Sequence, residues 1–332
     1  MPLMFALDGP DDPFSRALAA ALRIAPAAHE ERRFEDGERK LRPLVDPGGA
    51  DAWVVASLHG GPDDSPHDKL LRLLMFVAAL RDHGAARVTA LVPYLAYARK
   101  DRQTKPFDPL GLRYVAQMAE AMGVARLIVL EAHNVAAFHS AFRCRAQSLE
   151  AHGAFAALAD EIAAAGRPLA VASPDPGGVK RAQLWREALQ SRLARQVGFA
   201  MVDKRRSAGV VSASGIVAGE VDGADVLLLD DLIASGETMQ RAAVALRRAG
   251  ARRVVACAAH GLFVGDALHV LADPHIDQVV VTDSVPAFRV PSGDALRSKL
   301  RVESCVPLFV AALQAGSQDC STRSSAAQAC AR

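Results

Sequence analysis

Two adjacent carboxylates, Asp230 and Asp231, close the aliphatic run VLLL (226–229), and a small polar stretch, LIASGET, follows them. In open parallel α/β sheets ligands sit beyond the carboxyl ends of the strands, and these acids are expected at such an end. The loop Ala234-Ser235-Gly236-Glu237-Thr238 leads into a helical pattern, so it offers small side chains, hydroxyls and backbone N–H groups at a positive dipole end. That combination seats a phosphate. It is not a Walker A loop, because no Gly-Lys-Ser/Thr follows, and GxGxxG is missing. Two carboxylates repel a bare phosphate but suit a ligand that also brings hydroxyls or magnesium, and a sugar phosphate with a vicinal diol meets both demands. The same residues would equally serve as a helix N-cap preceded by two solvated acids.

Other stretches combine charge with turn chemistry. VDKRR (202–206) places Lys204 and Arg206 just past the strand FAMVD, before the small-residue run SAGVVSASG; an ordinary solvated basic turn has the same composition. SPDPGG (173–178) puts Asp175 at another strand end, where Gly177-Gly178 permit either close approach of a ligand or a tight turn. In RLIVLEAH (126–133) strand alternation sets Glu131 and His133 on one face. Magnesium prefers oxygen and keeps its waters, so the chemistry alone reads His133 as a capped strand-end histidine. FEDGE (34–38) reads as a hairpin with a two-residue Asp-Gly turn.

The elements that must position these residues follow from periodicity. Short aliphatic runs such as WVVASL (53–58), RVTALVPY (87–94) and RLIVL (126–130) alternate with helical segments such as DKLLRLLMFVAALRDHG (68–84). The second half repeats the alternation with PLAVASPD, ADVLLLDD, TMQRAAVALRRAG and RRVVACAAH. This is the pattern of βαβ units and mostly parallel sheets flanked by helices. WVVASLHGG, a helix, then GAARVTALVPY parallels DVLLLDDLIASGET, a helix, then GARRVVACAAH, with Gly84 and Gly250 each where a helix wants a left-handed terminus. The reading is an α/β chain of two similar domains related by internal duplication, 1–150 and 151–313. The segment 314–332, poor in large apolar side chains, is expected to be a disordered tail.

Composition excludes several classes. A chain of 332 residues with 51% hydrophobic content buries a large core, and a formal charge of +2 provides no basic field for nucleic acid or an anionic membrane. No run approaches the roughly 20 apolar residues of a membrane span. The start MPLMFALDGPDDP has no basic or long apolar region, so no secretion signal is expected. Five cysteines without CxxC spacing suit reduced thiols and a cytoplasmic location.

VLLLDDLIASGETM resembles the phosphoribosyl pyrophosphate (PRPP) loop of phosphoribosyltransferases and of ribose-phosphate pyrophosphokinase (PRPP synthetase). FEDGE, VPYLAYARKDR, SPDPGGVKRA and VDKRR are similar to the motifs of the second family, in order, over residues from about 30 to about 312. The resemblance implies two phosphoribosyltransferase-like domains and transfer of the β,γ-pyrophosphoryl group of ATP to the 1-hydroxyl of ribose 5-phosphate, giving PRPP and AMP. It implies Lys204 and Arg206 as the charge-stabilising catalytic cations. Asp230, Asp231, Ser235, Gly236 and Thr238 would bind ribose 5-phosphate; Phe34, Asp36, Glu38, Arg99, Lys100 and Asp101 would bind ATP. His133 and Asp175 would contact Mg2+. It further implies a cytoplasmic homo-oligomer, dimer-based and up to a hexamer, with the ATP site built between two chains.

Four residues depart from the family pattern: Lys100 stands where Gln is usual, adding positive charge near the triphosphate, Glu131 replaces Asp, Ala234 replaces an Asp of many bacterial members and Glu237 an often-present Gly. Glu237 must then point away from a bound phosphate. Rival readings are a non-catalytic regulatory paralogue, a phosphoribosyltransferase that consumes PRPP, and a nucleotide-sensing module without turnover.

Overall fold

The computed structural model describes residues 2–9, 11–203, 206–207, 210–211 and 216–315. The chain divides into two compact units, Met1–Glu150 with the segment from Cys305 onward, and Ala151–Ser304. The first unit contains, in order, β1 (Leu3–Ala6), α1 (Pro13–Leu22), β2 (His29–Arg33), β3 (Arg39–Pro43), β4 (Asp51–Val55), α2 (Pro66–Asp82), β5 (Arg87–Val92), α3 (Gly111–Ala121), β6 (Arg126–Leu130), α4 (Val135–Ala141) and β7 (Arg145–Leu149). Its five-stranded sheet has the order β1-β4-β5-β6-β7, all parallel. β2 and β3 form a separate antiparallel pair.

The second unit follows with α5 (Ala156–Ala163), β8 (Leu169–Ser173), α6 (Val179–Leu193), β9 (Gly198–Asp203), the short strands β10 (Arg206–Ser207) and β11 (Val210–Val211), β12 (Ile216–Gly219), β13 (Asp225–Ile233), α7 (Glu237–Arg248), β14 (Arg253–Gly261), α8 (Ala267–Leu271), β15 (Gln278–Thr282), α9 (Ala295–Lys299) and β16 (Leu300–Glu303). Its seven-stranded sheet has the order β12-β9-β8-β13-β14-β15-β16. β12 runs antiparallel to β9 and the remaining pairings are parallel.

The two sheets share a plan. β4-α2-β5 in the first unit and β13-α7-β14 in the second occupy the same step of strand, helix and adjacent parallel strand, and β6 and β7 correspond to β15 and β16. Gly84 and Gly250 do end the two helices with left-handed backbones, φ 85° and 95°. A side chain at Gly250 would also bring its Cβ 2.2 Å from Asp222 Oδ1, which would have to swing away, so the left-handed conformation is the main reason for glycine there. α2 is opened by a capping box in which Ser65 and Asp68 bond each other's backbone N–H. Strands such as β6 are buried along their whole length, as expected where helices cover both faces.

The difference between the sheets is a reversal. In the first, strand order follows chain order from β1 to β7, with no change of direction. In the second, the chain leaves β8 toward β9 on one side and returns at β13 on the other. The crevice that opens where order reverses is the place where open α/β sheets bind ligands. Only the second unit has such a point among its described strands.

The end of the chain departs from the expected partition. Residues 306–315 form a helix, α10, that belongs to the first unit, so residues 305–313 do not complete the second domain and Gln314 is helical rather than part of a tail. Its buried Phe309 meets Phe14 of α1 edge-to-face, with ring centroids 5.2 Å apart, and Arg126 of β6 donates to the Ala312 carbonyl at 3.0 Å. The apolar face of VPLFVAAL carries a helical period, but which core receives it is a long-range outcome. Residues 316–332 lie outside the described residues.

Candidate active site

The ends of β8 and β13 frame the reversal in the second unit. β13 pairs with β8 through Leu228 and Ala172, then runs on alone beside β14 through Ile233. Asp230 and Asp231 therefore do not end the strand, as the sequence suggested. They sit within its final stretch, where Asp230 pairs with Ala258 of β14 and the ladder to β8 has already ended at Leu228. Asp231 is buried, Asp230 half-buried, and the Asp231 N–H donates to Asp230 Oδ1 at 2.9 Å.

Asp175 lies across this gap at the end of β8. Its Oδ1 accepts from the Gly177 N–H at 2.9 Å, capping the short turn Pro176–Gly178. Gly178 is glycine because a Cβ there would stand 2.7 Å from Ser173 Oγ. The glycine pair thus serves packing and a tight turn in the first instance.

A cation that sequence reasoning passed over completes the crevice. Arg181, in the first turn of α6, brings Nη1 to 3.9 Å from both Asp230 Oδ1 and Asp231 Oδ1. Within SPDPGGVKRA, its position two residues into a helix that starts at the β8 end is the signal the sequence holds for it.

Burial first and Asp231 second push the Asp230 carboxyl up to about 8. The ligand-free native protein therefore holds a proton that the unfolded chain, with the ordinary value of 3.8, has released, and stability falls as pH rises from about 4 to about 8. Asp230→Asn is expected to flatten that fall, giving a Tm a few degrees above the parent at pH 8 and near it at pH 4. Calorimetric scans across this range check it, and identical slopes for parent and variant would refute it.

The loop after β13 is shaped from behind. Leu262 N–H donates to Ile233 O at 2.9 Å and Val264 N–H to Ala234 O at 3.0 Å. Gly236 is left-handed, φ 79°, and is the N-cap of α7 without a side-chain cap, so the first N–H groups of this 12-residue helix face the loop. Ser235 and Thr238 are half-buried beside it, while Glu237 is exposed and pairs with Arg241 at 3.3 Å, one turn along. A Cβ on Gly236 would stand 2.7 Å from Leu271 Cγ. Gly236→Ala is expected to destabilise the chain by about 1–3 kcal/mol and to weaken phosphate binding, through the left-handed φ and this clash. Urea titration measures the first effect, and an unchanged midpoint would contradict it.

In the first unit the expected residues fall into two groups. Arg99, Lys100 and Asp101 follow β5, and His133 follows the adjacent β6. Asn134, which caps α4, donates to Asp101 Oδ2 at 2.6 Å and ties the two segments together. Arg99 and His133 are exposed. β6 ends at Leu130, and Glu131 turns the chain with a left-handed φ of 44°, so strand alternation no longer relates Glu131 to His133. Beside Asp101, a cleft of about 410 Å³ between α3 and α4 is lined by Arg113, Gln117, Ser140 and Arg143 among others.

Lys100 does not present an uncommitted charge to a triphosphate. Its Nζ bonds Asp108 at 2.7 Å, and Asp108 also accepts from the Thr104 N–H, the Thr104 hydroxyl and the Lys105 N–H. These bonds, that from Lys100 foremost, hold the Asp108 carboxyl well below the usual carboxylate range.

The second group is the β2–β3 turn. The Phe34 N–H donates to Glu38 O and the Gly37 N–H to Phe34 O, with Gly37 left-handed at φ 97°, so the turn spans residues 35–37 rather than two residues. Phe34 is half-buried under the Arg32 guanidinium, 4.9 Å from its ring centroid. Asp36 and Glu38 are exposed, and Asp36 Oδ1 accepts from the Glu38 N–H. Lys204 lies outside the described residues; Arg206 is placed only as part of the β10–β11 pair.

Comparison with known proteins assigns this arrangement. Residues 4–123 match the N-terminal domain of ribose phosphate pyrophosphokinase, and residues 146–283 match the phosphoribosyl transferase domain. The ribose-phosphate pyrophosphokinase of Granulibacter bethesdensis is 33% identical over 94% of this chain and 96% of its own length. The chain belongs to the ribose-phosphate pyrophosphokinase family. The corresponding protein of Helicobacter hepaticus is 33% identical over 89% of this chain and 90% of its own. The crystal structure of phosphoribosylpyrophosphate synthetase from Mycobacterium smegmatis superposes with a TM-score of 0.81 at 29% identity, covering 96% of this chain and 99% of that one. Family membership accounts for two phosphoribosyltransferase-like domains in one chain.

Proposed function

We propose that the chain is a ribose-phosphate diphosphokinase in which the second unit binds ribose 5-phosphate and the first binds ATP. The observation that supports this reading is the end of β13: two adjacent carboxylates stand past Leu228, where the pairing with β8 stops at the strand-order reversal, and a short loop leads from them to the N-terminus of α7, which has no side-chain cap. Asp230 and Asp231 accept hydrogen bonds from the ribose 2- and 3-hydroxyls, and the Ser235-Gly236 backbone with the Ser235 and Thr238 hydroxyls holds the 5-phosphate. Arg181 offsets the two acids until sugar arrives. Phe34 stacks on adenine, Asp36 and Glu38 accept from its amino edge, and Arg99 with Asp101 holds the nucleotide from the strand ends.

In the reaction the ribose 1-hydroxyl oxygen attacks the β-phosphorus of ATP. The bond from that phosphorus to the α,β-bridging oxygen breaks, AMP leaves with the electron pair, and the hydroxyl proton passes to solvent. The demand on the protein is alignment and neutralisation of spreading charge, which cations meet better than a nucleophile. Lys204 and Arg206 are assigned that role.

Among the described residues no group of three or more His, Cys, Asp and Glu is arranged to hold a metal. Magnesium needs only one or two protein carboxylates beside phosphates and waters, and the hard oxygens of Asp175, Asp230 and Asp231 suit an ion that arrives with the nucleotide. Bound there it would neutralise phosphate charge, with Asp175 assigned to it; His133, in the first unit, is assigned separately as a contact of nucleotide-borne magnesium.

A cytoplasmic homo-oligomer, dimer-based, belongs to the same reading. No helix among the described residues is long and apolar enough to cross a membrane, Cys144 and Cys257 are free thiols, and Tyr114 and Met118 of α3 with Met122 at its C-cap are exposed apolar side chains. The deciding experiment incubates the pure protein with magnesium, ATP and ribose 5-phosphate. AMP and PRPP should form together. Failure to form both overturns the reading, and release of pyrophosphate from PRPP with a base would identify a transferase instead.

A further inference from the structure

The ground that the second unit leaves open at β13 and α7 is filled in the first unit by charged side chains. Lys69, in the first turns of α2, brings Nζ to 2.9 Å from Asp8 Oδ1, donates to the Ser57 carbonyl at 3.1 Å and lies 3.3 Å from His59 Nε2. The other Asp8 oxygen accepts from the Ser57 N–H at 2.7 Å. One turn further along α2, Arg72 reaches Asp8 and Glu31 at 3.5 Å each and Asp64 at 3.0 Å. Arg39, the first residue of β3, bonds both Glu31 and Asp64. Three acids (Asp8, Glu31, Asp64) and three bases (Arg39, Lys69, Arg72) thus form one connected and charge-balanced network.

The network is well shielded. The side chains of Lys69, Arg72 and Asp8 are 8%, 7% and 9% exposed, and Arg39 is 20% exposed. It links three elements that no backbone ladder joins: the β1 end, α2 and the β2–β3 hairpin, which forms its own two-stranded sheet. The base of the hairpin is held by packing, since the His29 ring lies 6.3 Å from that of Phe5 and 5.5 Å from that of Phe76. Its turn end is reached only through Glu31 and Arg39 among these contacts, and Arg39 directly follows Glu38.

We propose that this ion network positions the 34–38 turn for the nucleotide, with Arg39 as the positioning residue that connects the turn to Arg72 and Asp64. The inference rests on the reading that Phe34, Asp36 and Glu38 contact ATP. Buried ion pairs contribute little net stability against apolar replacements, whereas their directional bonds fix geometry. Loss of the link therefore reads out in nucleotide affinity, because a displacement of about 1 Å at a positioning element is costly.

The test uses the full chain and steady-state kinetics in both substrates. Arg39→Met is expected to raise KM for ATP about tenfold while kcat and KM for ribose 5-phosphate stay near wild type and Tm falls only slightly, because Glu31 and Asp64 both keep Arg72 as a partner. Arg39→Lys should recover part of the loss. Asp64→Asn should repeat the pattern, and the Arg39→Met/Asp64→Asn double variant should lose less than the product of the single effects, since the two residues share one link. Phe34→Ala is measured alongside. An unchanged KM for ATP in Arg39→Met, with a raised one in Phe34→Ala, overturns the positioning role while keeping the turn as an ATP contact. If Phe34→Ala also leaves KM for ATP unchanged, the turn is no ATP contact and the proposal falls with it. Parallel losses in both KM values and Tm would mark the network as merely structural and overturn the proposal; Arg39→Lys and Asp64→Asn decide the matter if Arg39→Met does not fold.

Discussion

Asp231→Ala is expected to raise KM for ribose 5-phosphate about a hundredfold, with KM for ATP nearly unchanged. A buried carboxylate that accepts from a sugar hydroxyl contributes about 1.5–3 kcal/mol as a charge-assisted bond, and the site excludes the water that would replace it. Asp231 is 4% exposed, on the stretch of β13 that has no ladder partner on the β8 side. The loss is compounded because Arg181, 3.9 Å from both acids, would lose one of the two carboxylates that balance its charge. Asp231→Asn should be milder. With one charge removed, the Asp230 carboxyl, raised by burial and then by Asp231, titrates closer to its ordinary value and accepts the diol unaided. Isothermal titration with ribose 5-phosphate separates the variants. Equal affinities for parent and Asp231→Ala would remove the acid pair from sugar binding.

Lys204→Ala is expected to lower turnover by about a hundredfold or more while ribose 5-phosphate binding remains largely intact. A cation aimed at charge that develops on the transferring phosphates stabilises the transition state more than the ground state, and deletion of one such group costs about two to three powers of ten in kcat. Lys204 lies outside the described residues, so this expectation stands on sequence: it follows FAMVD, the strand β9, and precedes the small-residue run SAGVVSASG. Single-turnover kinetics at saturating substrates reads the chemical step directly. Wild-type turnover in the variant would exclude Lys204 from the mechanism.

Much of the architecture was legible because it depends on local rules. The alternation of aliphatic runs and helical periods specified parallel α/β units, and Gly84 and Gly250 marked the helix ends through their left-handed requirement. The Asp-Gly pair in FEDGE identified a turn, although the hydrogen bonds made it a residue longer. Glu237 had to turn from the phosphate loop, and its bond to Arg241 shows it doing so. Where local rules were stretched they failed. Alternation was carried past Leu130 to relate Glu131 to His133, but one left-handed residue ended it. Lys100, expected to add positive charge near the triphosphate, pairs with Asp108, eight residues on, a contact that its charge alone did not reveal.

By itself the sequence determined the fold class, the pairing of strand, loop and helix at VLLLDDLIASGET, and the family, because each depends on residue type and short spacing. Tertiary structure decided what depends on which strand lies beside which. The β8–β13 reversal turns Asp230 and Asp231 into a crevice wall, and Arg181 reaches them from another strand's helix. α10 returns to the first unit through Phe309 and Ala312. Arg72 meets Asp8 across 64 residues of chain, and Arg39 meets Asp64. Such contacts are selected by burial and charge balance in three dimensions, and no spacing along the chain encodes them.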